Sequence, residues 1–463
     1  MPQAQAAQSP APEASGTHGY TRDGMPDPLS SFEDQPPDLV GPIPGPRSRA
    51  LASRLEAVES RNVTYLKPES PIFWERAKGS NVWDVDGNRY IDLTAAFGVS
   101  STGHSHPVVA EAIASQSTML LHGMGDVHPP RVKVELLEAL ARRYPGGGGA
   151  KAVLGCSGSD AVETALKTAL MATGRPGVVA FEGGYHGLSI GALDTTNRGD
   201  FREPFLNRLP LATAFAPYGE ISGVQQAAQQ LEEAGHAVGA VIVEPLQGRG
   251  GERVPPRGFL TDLRQACDDA GWLLIADEIY TGCGRTGRFF ACEHEDVIPD
   301  LLCVGKGLAA GMPISACMGK IEIMDLWPTS EGEALHTQTF LGHPAGCAAA
   351  LAALQIIDQD GLVERANRIG SALLKDLQTR CAALEPIRDI RGLGLMIGIE
   401  CESAETAQRM TRQALERGVI VLPSGPEGNV ISITPPLSIG NQALEFAVDQ
   451  IVELLENHDR NPQ

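Results

Sequence analysis

AVIVE (residues 240–244), WLLIAD (272–277) and LLCVGK (301–306) each carry a short apolar run into one charged side chain. The charged residues are Glu244, Asp277 and Lys306, spaced 33 and then 29 residues apart. That is the repeat length of a strand, helix, strand unit. Short apolar runs at this spacing predict parallel strands buried on both faces, and such sheets bind ligands at the carboxyl ends of their strands. Two acids and a lysine therefore converge on one crevice. A lysine held at an apolar sheet end can form a Schiff base, and a carboxylate beside it can keep a pyridinium nitrogen protonated. The combination points to pyridoxal phosphate.

Around these runs stand Asp277-Glu278-Ile279, Thr281-Gly282, Arg285-Thr286-Gly287 and Gly305-Lys306-Gly307, in that order. With these ordered blocks, the chain from about Pro71 to about Leu455 resembles the class III aminotransferases of fold type I. The resemblance implies an α/β fold: a large domain with a mostly parallel central sheet, plus a smaller α+β domain. The expected layout is a disordered tail over 1–46, then a segment over 47–100 that packs with the small domain. A large cofactor-binding domain over 101–345 and a small domain over 346–463 follow.

The 463 residues are enough for two domains with substantial cores. A formal charge of -20, from 37 basic against 57 acidic side chains, argues against a nucleic-acid partner, because phosphate binding needs basic clusters. No apolar stretch approaches the roughly 18 residues that span a bilayer. The first 46 residues lack the apolar core of a signal peptide and are rich in Pro, Ser, Ala and Gly. Nine cysteines without a CxxC pair fit a reducing, cytoplasmic compartment.

Gly79 to Leu93 reads as two strands around the turn Asp86-Gly87-Asn88. Strand and helix patterns alternate from Pro107 to Ala345. Helices are expected at Ala345 to Asp358, Leu362 to Leu384, Ala404 to Arg417 and Asn441 to Leu455, with one glycine-rich strand from Ile390 to Glu400 and strands near Val419 and Val430.

Ser157-Gly158-Ser159 lies between an apolar strand and a helical pattern, where capping oxygens and open N–H groups suit a phosphate. The resemblance assigns this turn to the cofactor phosphate. It likewise implies that Tyr185, in Tyr185-His186-Gly187, stacks on the pyridine ring, with His186 beside it among the cofactor-binding residues together with Glu244. Asp277 would face the ring nitrogen and Gln247 the phenolic oxygen. Lys306 would carry the imine and shuttle a proton. Thr339 would reach the phosphate of a partner subunit, making a homodimer with shared active sites. Arg391 would grip a substrate carboxylate, with Phe97 and Tyr65 near the substrate.

Three positions depart from the family pattern. Arg249 follows Gln247-Gly248 where many ω-aminotransferases carry a gating glutamate, His343 replaces a common asparagine, and Ser432 replaces a common arginine. Ornithine and 4-aminobutyrate are therefore not the expected substrates, and Arg249 itself is a candidate for binding an acidic group. The expected reaction moves an amino group between an amino acid or amine and a 2-oxoacid, with racemisation on the same scaffold as the alternative. Gly282 to Gly287 matches the dinucleotide fingerprint formally but leads into no helical pattern and has no acid twenty residues on. Gly305-Lys306 lacks the other residues of a phosphate-binding loop, and His104 and His106 lack companions at metal spacing.

Overall fold

The computed structural model describes residues 34–67, 71–147 and 149–457. The three expected strands lie side by side, as Val238–Val243, Leu273–Asp277 and Leu301–Val304, in a seven-stranded sheet. Val241 pairs with Leu274 and Ile275 with Leu301, both in parallel register. Beyond Val238–Val243 come Gly177–Phe181 and Thr213–Ala216, and beyond Leu301–Val304 come Ser315–Gly319 and Lys151–Gly155. Only Ser315–Gly319 runs antiparallel to its neighbours.

Side-chain alternation explains why the runs are apolar throughout. Val241, Val243, Leu274 and Leu302 enter the core on one face, while Ala240, Ile242, Ile275 and Leu301 enter a second core on the other. With both faces dry, a charged residue is tolerated only where the strand stops. Glu244, Asp277 and Lys306 occupy those positions.

Two four-stranded sheets flank this unit. The expected hairpin forms from Asn81–Asp84 and Arg89–Asp92, its turn held by Asp84 Oδ1, which accepts from Asp86 N at 3.0 Å and Asn88 N at 2.9 Å. Trp74–Lys78 and the parallel Val419–Ile420 complete that sheet. The other contains Ile387–Leu393, Met396–Cys401, Val430–Ile433 and Leu422–Ser424. Here the single strand expected from Ile390 to Glu400 is corrected to two antiparallel strands. The chain reverses at Gly394, whose φ of 56° is left-handed and whose missing side chain lets Thr286 approach.

The disordered tail expected over 1–46 is corrected for residues 34–45. Asp34 accepts from Ser80 N at 2.8 Å and Gly440 N at 2.7 Å, and Asp38 bridges to Arg89. A helix then begins at Pro46. Residues 1–33 lie outside the described residues. Among the described residues no helix is long and apolar enough to cross a membrane.

Candidate active site

Asp277 ends its strand buried, and its carboxylate is held from both sides. Oδ1 accepts from Ile279 N at 3.1 Å, and Oδ2 meets His186 Nδ1 at 2.7 Å. Burial by itself would pull the His186 imidazole down. The hydrogen bond and charge of Asp277, with the charge of Glu244, outweigh it and raise the pKa. Glu244 in turn accepts from Tyr185 N at 2.9 Å and Gly248 N at 3.1 Å. Burial pushes its carboxyl up to about 7, the His186 charge opposing and the Asp277 charge adding to that rise. Glu244 thus ties the Tyr185 loop to the glycine loop after its own strand.

Ser157 caps the helix Gly158–Thr173, receiving Asp160 N while Asp160 reaches back to Ser157 N at 3.0 Å, a reciprocal capping box. Gly174 in the left-handed region ends the helix. Among the described residues the N–H groups of Gly158 and Ser159 have no partner, so they remain open to an anion at the positive end of a 16-residue helix. Ser159 Oγ accepts from Leu188 N at 3.2 Å and locks the turn against the Tyr185 segment. Gln247 Nε2 donates to Glu182 O at 2.8 Å, leaving the buried Gln247 Oε1 without a partner among the described residues. Open amides, an anchored carboxylate, an aromatic ring and a lysine amine form the donor set that a phosphorylated pyridine aldehyde requires.

Lys306 is half-buried and has a positive φ of 39°. Its Nζ sits 3.8 Å from the centre of the Tyr280 ring. Burial lowers the amine to about 8, the charges of Asp277 and Glu244 resisting and those of Arg249 and Arg285 assisting. The sign gives a test on cofactor-free protein. Below about pH 8 the amine is charged whether the chain is folded or not, and its burial penalty is fully present. Between about pH 8 and the ordinary lysine range the unfolded chain holds more protons, so stability rises with pH. Lys306→Met is expected to be more stable than the wild type by on the order of 3 kcal/mol at pH 7. The gap should close toward pH 10.5 in denaturant titrations. A gap independent of pH would contradict the depressed amine.

Tyr280 carries no signal in the sequence beyond its place in Asp277-Glu278-Ile279-Tyr280. Its hydroxyl meets Thr434 Oγ1 at 3.2 Å, and Gly98 and Gly248 pack so close to its ring that a side chain on either would collide. Gly98 ends a turn in which Ala95, Ala96 and Phe97 have φ of 45°, 50° and 63°. Three consecutive left-handed residues with side chains cost about 1–2 kcal/mol each. The turn is held by Asp92, whose Oδ1 accepts from Thr94 N at 2.8 Å and whose Oδ2 meets His104 Nε2 at 2.7 Å. His104 is therefore a structural partner of Asp92, and among the described residues no acid, histidine and cysteine cluster suits a metal.

The strained turn delivers Phe97 to a cavity of about 290 Å³ that Tyr280, Thr94, Arg198, Arg249 and Glu252 also line. A larger groove of about 870 Å³, between Leu362–Cys381 and Asn441–Glu456, holds none of the candidate side chains. Arg249 lies over the Tyr185 ring at 4.9 Å. Arg391 is not brought to the cavity. Its Nε and Nη2 donate to Gly251 O at 3.0 and 2.6 Å, and its Nη1 faces Asp389 at 2.8 Å and Glu400 at 2.5 Å. The expected substrate clamp is corrected to a strut that fixes the glycine loop. Tyr65 is exposed and does not line the cavity. Thr339 is exposed, in a segment whose Gln338 Nε2 reaches Asp160 Oδ2 at 3.5 Å.

Two cavity residues gave no signal in the sequence. Glu252 is buried, its Oε1 accepts from Ser432 Oγ at 2.6 Å, and burial pushes its carboxyl up to about 8 despite that bond and the Arg391 charge. Arg198 sits in a loop with no motif. The Gly282 to Gly287 run leads into no α-helix, only the short 3-10 turn Ala291–Glu295. It places Arg285, fully buried, to donate to Leu395 O at 3.0 Å and Pro435 O at 2.5 Å, pinning the C-terminal strands to the core.

The sequence model of the family Aminotransferase class-III matches residues 64–455. The chain is 39% identical over 388 residues to an acetylornithine aminotransferase of Methanopyrus kandleri, covering 83% of this chain and 94% of that protein. It is 38% identical over 444 residues to a 4-aminobutyrate aminotransferase of Mycobacterium tuberculosis, covering 90% and 97%. The crystal structure of ornithine aminotransferase from Toxoplasma gondii superposes with a TM-score of 0.81 at 28% identity, over 89% of this chain and 96% of that one.

Proposed function

Because this chain belongs to the class III aminotransferases and uses pyridoxal phosphate, we propose that the crevice at Glu244, Asp277 and Lys306 is where the amino group changes hands. The observation that carries the reading is the Lys306 amine, held at a sheet end beside Tyr280 and lowered to about 8 by desolvation against the opposing fields of two carboxylates. When bound, the cofactor supplies an aldehyde that condenses with amines and a ring that draws electrons from the carbon bearing the nitrogen.

The protein's own groups do the rest. Asp277, fixed by Ile279 N and His186, would hold a positive ring nitrogen by charge. Gly158 and Ser159 would receive the phosphate on open N–H groups, and Tyr185 would cover the ring, its backbone steadied by Glu244. Lys306 Nζ, lowered to about 8 so that an uncharged fraction is within reach at physiological pH, would serve as the proton carrier at the substrate carbon. Gln247 is assigned to the phenolic group, its unpaired buried Oε1 being open to accept from a phenolic O–H. In this reading 101–345 forms the cofactor-binding domain and 346–463 the small domain. A panel of amines and L- or D-amino acids, with and without 2-oxoglutarate or pyruvate, tests the function. Oxoacid formation that depends on an acceptor supports it, and acceptor-independent loss of chirality would replace it with racemisation.

The functional unit is a homodimer in a reducing, cytoplasmic setting. Exposed Leu120, Leu121, Met124, Val127 and Phe340 cluster in sequence or space with the exposed Thr339, and a patch of that kind favours self-association. Thr339 would then complete the partner's phosphate site. Sizing combined with activity across dilution is expected to show a dimer whose activity falls as it dissociates. A fully active monomer would contradict the shared site.

A further inference from the structure

Arg198 and Arg249 line the same 290 Å³ cavity, and their guanidinium carbons lie 5.5 and 5.7 Å from the centre of one ring, Phe201. Among the described residues neither arginine is within ion-pair distance of a carboxylate. Elsewhere in the protein half-buried arginines are matched: Arg264 with Asp268 and Asp300, Arg391 with Asp389 and Glu400. Two like charges side by side repel, and partial burial strengthens the repulsion. Arg198 registers this, lowered first by burial and next by the charge of Arg249, with Asp200 opposing.

The acids nearby do not close the site. Asp200 and Glu427 lie at the exposed rim of the cavity, without an ion pair to either arginine. Glu252 is bonded to Ser432, fixed under the glycine loop, and held largely uncharged at neutral pH by burial. The position that would carry a swinging acid is Arg249 itself. An arginine pair in one cavity, with the Arg249 charge felt at Lys306 and no ion-paired carboxylate to cover it among the described residues, leaves the substrate as the compensating charge.

We propose that Arg198 and Arg249 form a permanent distal anion subsite, so that both the amino donor and the oxoacid acceptor of this enzyme carry a second acidic group remote from the reacting carbon. This rests on the aminotransferase reading and narrows its substrate class to amino acids and 2-oxoacids with a distal carboxylate or a chemically similar anion. Arginine meets such groups through two parallel N–H donors, and Phe201 and Tyr185 hold the planar guanidinium groups in place by their faces. A neutral side chain or a terminal amine in the same place leaves both cations unpaired. Discrimination should therefore appear in both half-reactions, where a gated site would relax it in one.

The test has two arms. Calorimetric titration of the holoenzyme with glutarate and with butyrate reads the subsite without turnover. Glutarate is expected to bind more tightly, and the preference should shrink by roughly 10 to 150-fold in Arg198→Gln and Arg249→Gln, with partial retention in Arg249→Lys, which keeps the charge but not the fork. Separately, kcat/KM for glutamate against glutamine, and for 2-oxoglutarate against 2-oxobutyrate, should favour the acid in each pair, with both ratios collapsing in the glutamine variants. Equal binding of glutarate and butyrate, or ratios unchanged by the variants, would overturn the subsite even if transamination proceeds. Absence of transamination with every donor would strike the aminotransferase reading and leave the glutarate arm to decide the subsite. Should a glutamine variant fail to fold, Arg249→Lys and the wild-type preference still decide the matter.

Discussion

Lys306→Ala is expected to abolish steady-state turnover, with a loss of at least about 10³-fold in kcat, because one residue supplies both the nucleophilic amine and the proton carrier. Among the described residues the cations that line the cavity beside Tyr280 are Arg198 and Arg249, which cannot give up a proton near neutral pH. The substitution also removes the amine seated 3.8 Å from the Tyr280 ring centre, so its effect is chemical and not a collapse of packing. Two measurements separate these. A melting curve should remain cooperative, and added pyridoxal phosphate should bind without the spectral signature of an imine to protein. A Lys306→Ala protein turning over at the wild-type rate would end the assignment of the crevice.

Asp277→Asn follows with a loss of about 10²–10³-fold in kcat, the range seen when one oriented electrostatic group is removed from an active site. The substitution keeps the shape and can keep the contact with Ile279 N, but it removes the charge opposite the ring nitrogen. It also has a readout away from catalysis. His186 owes its raised pKa to Asp277, against burial that lowers it, so in the variant the imidazole should lose its proton at lower pH. Nuclear magnetic resonance of the His186 ring in both proteins checks this. An unchanged His186 titration would mean that Asp277 is not the ionised partner.

The trio that opens the sequence was legible for a local reason. A strand buried on both faces has to be apolar to its end, so the first charged residue after it marks the sheet's edge, and three adjacent edges define a crevice. The capped helix at Ser157 was legible for the same kind of reason, since its capping box lies within four residues. What was not legible depends on partners far away in the chain. Glu252 meets Ser432 across 180 residues, and although Ser432 stands out as a departure from the family pattern, nothing local links it to Glu252. Arg391 was recognisable as an arginine at a strand, but whether it faces a ligand or the Gly251 carbonyl is settled by how a second sheet docks on the glycine loop. Gly394 was visible within Arg391-Gly392-Leu393-Gly394, yet continuous apolar residues around it concealed a reversal that only its positive φ discloses.

The left-handed turn at Ala95, Ala96 and Phe97 sets the chain's capacity for improvement against its capacity to work. Glycine at Ala95 or Ala96 would remove a backbone penalty for the loss of one methyl, fully buried at Ala95 and half-buried at Ala96, so any search for greater thermal endurance, in the laboratory or by descent, would be drawn to these two positions, and to Ala96 first. The same change would free the one segment that aims Phe97 into the cavity. Variants recovered for heat tolerance at this turn should thus accept a wider and less discriminating set of substrates, which makes Ala95 and Ala96, with no reactive atoms of their own, places where endurance and selectivity are exchanged.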